Sequence, residues 1–230
     1  LIFNCSQAFA EFIEPKKAGP TRLVGEAPSP HPSTDLPFLI DVDGEAPRHV
    51  QQWQVHFVRI QRKPCAVAID IDTRYAMVFS QVKKGDPEGF LNAFTTRLVN
   101  EMALATSELG MLGDFETMLA RFLEQHQRFQ FVRRMERSTQ AHLKNAIWDF
   151  EYRCDEAGRM PETHEECAMI DARINETLRH VKTRKDYFIP STEMVCHWLR
   201  QFAGLTNAGE ATVREKISAS YMKQRFPSGN

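Results

Sequence analysis

The chain has 230 residues, 42% hydrophobic and 26% charged, with Lys+Arg 29 against Asp+Glu 30 and a formal net charge of −1. Such a composition excludes a disordered chain and supplies a sizeable core. The charge balance excludes a long-range field that would draw the whole molecule onto nucleic acid or a membrane, so any such partner must meet a local patch.

Leu1–Cys5 is a short apolar run that reads as a strand. Ser6 sits at an N-cap position before a brief helix carrying Phe9, Phe12 and Ile13. From Pro15 to Pro47 the texture changes: most of the prolines fall there, predicting a long irregular excursion with one short extended piece at Phe38–Val42. Trp53–Ile60, Cys65–Ile71 and Tyr75–Val82 are rich in Val, Ile, Phe and Tyr and are separated by tight breaks. They predict three consecutive antiparallel strands, joined by the opening strand.

After Gly85 the pattern is helical. Asp86 before Pro87 is an N-cap with a first-turn proline, and Phe90, Phe94, Leu98 and Met102 follow at helical steps. Asp114 is placed to cap a second helix, and Leu143, Ala146, Phe150 and Cys154 make the stripe of a third. Thr163 and Glu166 form a capping-box pair before a stripe running from Cys167 through Ile174 to Leu178 and Val181. Pro190 opens a fifth helix that ends near Gly204, and Val213, Ile217 and Tyr221 mark a last short one. Arg128–Arg134 fits a strand added to the sheet. The expected fold is therefore α+β: a small antiparallel β-meander packed by five or six α-helices over residues 1–205, then a C-terminal tail at 206–230.

Ile2-Phe3-Asn4-Cys5-Ser6-Gln7, Trp53 with its alternating apolar residues, and Arg62-Lys63 leading into Cys65-Ala66-Val67 occur here in order with Asp149-Phe150 and Ile174-Asn175-Glu176-Thr177. Together they resemble a bacterial family catalogued only as a domain of unknown function. The resemblance runs from Leu1 to about Phe202 and implies one compact bacterial α+β unit. It carries over no catalytic residue. Two departures stand out: the long excursion, and Trp148 where the family pattern has a small polar residue.

Cys5, Cys65, Cys154, Cys167 and Cys196 are odd in number and scattered, which predicts reduced thiols in a cytoplasmic protein. No apolar run approaches the ~18–20 residues of a spanning helix, so no membrane partner is expected. Gly110-Met-Leu-Gly113 lacks the Lys-Ser/Thr of a phosphate loop and reads as a helix-to-helix turn. His164, Cys167, Cys196 and His197 lack the paired spacing of structural zinc sites, so neither metal nor other cofactor is expected. Asp70 and Asp72 could gather a divalent cation on one strand face, and Asp41-Val42-Asp43-Gly44-Glu45 begins like a calcium loop. In both, turn chemistry is the simpler reading.

Arg128, Arg133, Arg134, Arg137 and Lys144 lie among Phe122, Phe129 and Phe131, a basic-aromatic stretch suited to phosphate and base stacking. Arg179, Lys182, Arg184 and Lys185 form a second knot, read as cations at a helix C-terminus. Between the knots, Asp155–Glu176 is strongly acidic, so much of this charge reads as an internally compensated surface. Two expectations of function follow. The first is a non-enzymatic binding or regulatory module meeting protein or nucleic acid through Arg128–Lys144. The second is a hydrolase-type enzyme using Asp70, Asp72 or His164. The basic tail is expected to dock on a second copy of the chain, giving a homodimer.

Overall fold

The computed structural model describes residues 1–14, 22–26, 50–110, 114–182 and 184–225. Its strands are β1 (Ile2–Cys5), β2 (Val24–Glu26), β3 (Gln52–Ile60), β4 (Lys63–Asp70), β5 (Ala76–Phe79) and β6 (Gln130–Arg133). Its helices are α1 (Gln7–Ile13), α2 (Pro87–Glu108), α3 (Phe115–Gln125), α4 (Arg137–Ala157), α5 (His164–Asn175), α6 (Pro190–Phe202) and α7 (Asn207–Arg225). The α+β class stands, but among the described residues the sheet is six-stranded and mixed rather than a small antiparallel meander, in the order β2-β6-β1-β3-β4-β5.

The expected meander forms one half of it. Trp53 opposes Asp70 across β3 and β4, and Ala66 opposes Phe79 across β4 and β5. Gln61 and Arg62 turn the first hairpin with φ of 47° and 65°, the doubly left-handed geometry whose twist matches that of paired strands. The other half is parallel: β1 lies between β3 and β6, and β2 pairs β6. The reason is connectivity. β1 runs straight into α1, and β6 is reached only through α2 and α3, so each strand returns by a crossover, which parallel neighbours require. Strand β2 falls inside the stretch read as irregular. The extended piece expected at Phe38–Val42 and the calcium-like segment lie outside the described residues.

Period-two alternation gives the sheet two buried faces. Phe3, Cys5, Trp53, Val55, Ala68 and Met77 pack against helices α1, α2, α3, α6 and α7. Cys65, Val67, Ile69, Ala76 and Val78 pack against α4 and α5. Phe3 anchors the first core, with ring centroids 5.0 Å from Phe94 and 5.2 Å from Phe131.

Local signals set the helix ends. Ser6 accepts from the Phe9 amide at 3.2 Å, Asp86 from Gly89 at 2.9 Å and Thr163 from Glu166 at 3.2 Å. Asp114 makes no such bond. The Glu166 carboxylate reaches back to the Thr163 amide, as a capping box requires, and also accepts from the Glu162 amide at 2.6 Å. Helix α5 stops at Asn175, short of the stripe drawn to Val181, and Leu178 is exposed.

Strand β5 is the sheet's last strand on its side, and side chains complete its outer edge. Asp171 accepts from the Val78 amide at 2.7 Å, and Arg97 donates to the Val78 carbonyl. Asn175 both accepts from the Ala76 amide and donates to its carbonyl, each at 2.7 Å. Spaced one helical turn apart on α5, Asp171 and Asn175 imitate a neighbouring strand and leave nothing for another chain to pair with there. Arg97 also contacts Asp171 and Glu101, and Tyr75 donates to Glu101.

The tail forms a 19-residue helix, longer than expected, and within the chain it packs on α6. Val213 and Ile217 enter the first core, and Arg214 donates to the buried Glu193 at 2.6 Å. Arg184 holds the other Glu193 oxygen at 2.8 Å. Burial works against ionisation of Glu193, but the hydrogen bonds from Arg214 and Arg184 outweigh it and hold its pKa below 4.5. A depressed carboxylate pKa contributes stability that is complete above the unfolded value and is lost as pH falls through the folded one. The docking of α7 is therefore expected to loosen selectively below about pH 4. Amide exchange at Val213 and Ile217, corrected for intrinsic rate, measures it, and Glu193→Gln should reduce the pH dependence to the part carried by Glu210, which Arg200 and Arg214 also hold.

Candidate functional site

The acidic and histidine candidates do not converge. Asp70 is fully buried, and its Oδ1 accepts from the Asp72 amide at 3.1 Å, the Thr73 amide at 2.7 Å and the Thr73 hydroxyl at 2.7 Å. Its Oδ2 accepts from Gln51 at 3.1 Å. This carboxylate is occupied in building the β4–β5 turn. Asp72 lines a small cavity with His126 and His197, and its pKa is raised by burial and by Asp70. His164 is exposed at the start of α5, beside a different cavity lined by Ser80 and Cys167.

Cys167 and Cys196 belong to cores on opposite faces of the sheet, so the four possible zinc ligands are not brought together. All five thiols are buried, and desolvation pushes Cys154 up to about 12 and Cys65 and Cys196 up to about 11, away from nucleophilic thiolate.

A groove of about 940 Å³ runs between the end of α5, the start of α6 and α7. Its charges are largely spent on one another: Arg184 and Arg214 clamp Glu193, and Arg173 lies 3.5 Å from Glu176.

The basic-aromatic stretch is divided by the fold. Arg128 precedes β6 and Arg133 ends it, with the Arg133 guanidinium held by Glu26 and, at 3.1 Å, by Gln7. Arg134 lies 3.4 Å from Glu136. Phe122 and Phe131, expected to be available for stacking, are buried in the first core, while Phe129 is exposed. A strand inserted among these residues alternates them between faces, which sequence order conceals.

Arg137 and Lys144 are placed differently. Both are exposed on α4, whose inner face buries Thr139, Leu143, Ala146, Phe150 and Cys154. Steps of seven, four and four residues carry the outer stripe from Arg137 through Lys144 to Trp148 and Tyr152. Trp148 is 63% and Tyr152 50% exposed, and their rings stack with centroids 5.7 Å apart and planes inclined by 17°. Two large rings turned to solvent on one stripe are what core packing does not explain. Glu151 and Asp155 flank the C-terminal half of the stripe, opposite in sign to its N-terminal half. The signal available in the sequence was Trp148 itself, a tryptophan on the polar side of an amphipathic pattern.

These features define an α+β domain built on a mixed six-stranded sheet covered by helices on both faces. The chain matches the family model described as Domain of unknown function (DUF6933) over residues 2–193, and it belongs to that family. No curated protein and no solved structure gives a significant match. Several motif residues that carried the resemblance hold the fold: Ser6 caps α1, Trp53 is fully buried and Asn175 completes the edge of β5.

Proposed function

We propose that the chain is a non-enzymatic binding module whose contact face is the outward stripe of α4, and that its partner is a protein. The observation that carries this reading is the exposed Trp148–Tyr152 stack. Trp, Tyr and Arg dominate interface hot spots because a rigid ring removes much apolar area from water at little entropic cost. Here the rings are rimmed by Arg137 and Lys144 on one side and Glu151 and Asp155 on the other, the polar surround that sets register in a protein interface.

A photoreactive benzoylphenylalanine in place of Trp148, introduced in cells that naturally carry the protein, is expected to give a discrete protein adduct. The same group at Met169, exposed on α5, should not. Identical adducts at both positions would refute the reading. Once the partner is in hand, Trp148→Ala should weaken binding by about 2 kcal/mol, roughly thirtyfold.

Arg137 and Lys144 on the same stripe favour a second reading, single-stranded nucleic acid, with phosphate held by the cations and bases stacked on the rings. Arg128, Arg133 and Arg134 would then act from outside the stripe. Anisotropy with mixed-sequence DNA and RNA at two salt concentrations tests this. Binding that falls steeply with salt, and less steeply for an Arg137→Ala, Lys144→Ala double variant, supports nucleic acid. No binding at low salt leaves the protein reading alone.

A further inference from the structure

Along the outward stripe of α4 the charges are ordered by sign. Arg137 and Lys144 stand in its N-terminal half and Glu151 and Asp155 in its C-terminal half, with Trp148 between them. None of the four forms an ion pair among the described residues; Asp155 accepts from the neutral Gln61 amide at 3.3 Å. Alongside, Arg153 and Glu156 lie 3.8 Å apart and balance each other. At about 100° per residue, the four charges fall along one side of a line through Trp148, and Ala141, Asn145 and Tyr152 fall along the other. Ala141 and Asn145 are exposed and small, so the side that carries the Tyr152 ring also carries a shallow stretch N-terminal to it.

Opposite signs at the two ends of one stripe complement a copy of the same helix running the other way. A two-fold axis perpendicular to both helices generates that copy, and it sets each side of the stripe against the same side of its mate. One register then satisfies both sides. Centred between positions 146 and 147, it brings Arg137 opposite the copy's Asp155 and Lys144 beside the copy's Glu151. On the other side, Asn145 meets the copy's Trp148 and Ala141 meets the copy's Tyr152. Large rings lie over small side chains, and every cation has a carboxylate within reach. The same stripe packed parallel would set like charge on like.

We propose that the occupant of this stripe is a second copy of the chain, packed antiparallel along α4 in a two-fold dimer. The inference rests on the protein-docking reading and names its partner. From Arg137 to Asp155 the contact is about 27 Å long. A single helix face covers less than the roughly 800 Å² per partner of a standard interface, so dimer and monomer should exchange at micromolar concentrations. Added salt should weaken the pair, since its charges lie at the surface.

Sedimentation velocity of the full chain, from low micromolar to near-millimolar concentration, should show a shift from monomer to dimer. Trp148→Ala should raise the dissociation constant at least about thirtyfold, because the two-fold removes the ring from both sides of the contact. Lys144→Glu and Glu151→Lys each set like charge on like, and each should leave a monomer. Mixed in equal amounts, these two variants present opposite charges at both copies of the contact, so a dimer of one with the other should return. That recovery requires positions 144 and 151 to face each other across two chains, and a misfolded variant cannot produce it. A wild-type chain that stays monomeric throughout the range overturns the proposal. So does a dimer indifferent to Trp148→Ala and to both charge reversals, or a pair of folded reversal variants that stay apart when mixed. A monomeric wild-type chain whose photoreactive group at position 148 captures a different protein in cells keeps the docking reading and removes the self-partner. A monomer that captures nothing removes both.

Discussion

Replacing Asp171 with Ala is expected to destabilise the chain by about 3–5 kcal/mol, because it removes one of the two carboxylates paired with the buried Arg97 guanidinium and leaves Glu101 alone to balance it. Asp171 is fully buried and Arg97 is 2% exposed, so water cannot take the lost partner's place. Burial raises the Asp171 carboxyl while contact with Arg97 pulls it down, and the pair persists because each group also serves the edge of β5. The substitution therefore costs twice, through the lost counter-charge and through the orphaned Val78 amide. Urea denaturation of the Ala variant and of Asp171→Asn separates the two. Asparagine should recover part of the loss, since its side-chain oxygen can still accept from the Val78 amide while the negative charge is gone. A loss below about 1 kcal/mol in the Ala variant would show that the edge is held by other means.

Asp70→Ala is expected to cost about 3 kcal/mol or more, and Asp70→Asn far less. Alanine strands the Asp72 and Thr73 amides, the Thr73 hydroxyl and the Gln51 amide together. Asparagine can keep the three bonds to Oδ1 through its own carbonyl oxygen. Its NH₂ then replaces the acceptor of Gln51, whose terminal amide can reverse to present oxygen. Thermal melts of the two variants decide between roles for this residue. A stable Asp70→Ala protein would return Asp70 to the pool of candidate catalytic groups.

The sequence announces what is local. Three β-rich runs around tight breaks become β3, β4 and β5, the stretch at Arg128–Arg134 yields β6, and Asp86 with Pro87 starts α2. It does not announce which strands lie side by side. That β1 separates β3 from β6 depends on where helices cross, a choice made by packing and not by any residue within the strand. The end of α5 was hidden for a similar reason: the apolar spacing continues to Leu178, but Asn175 is held at β5, and Arg179 forms a bridge to Phe188. Of the candidate sites, Trp148 was visible as an anomaly. The knot at Arg179–Lys185 looked like solvated charge, yet its first member is buried.

The position of β1 has a consequence for how the chain reaches its native state. Ile2–Cys5 leaves the ribosome ahead of both its neighbours in the sheet, and one of them, Gln130–Arg133, is made more than a hundred residues later. Until then the strand can pair on β3 only, and Phe3 lacks the Phe131 ring that stacks on it. Closing so long a loop precedes the reward of the contact, which makes the pairing of β1 with β6 a late step. During synthesis β1 has an open flank, and that interval is when a holding chaperone would matter most.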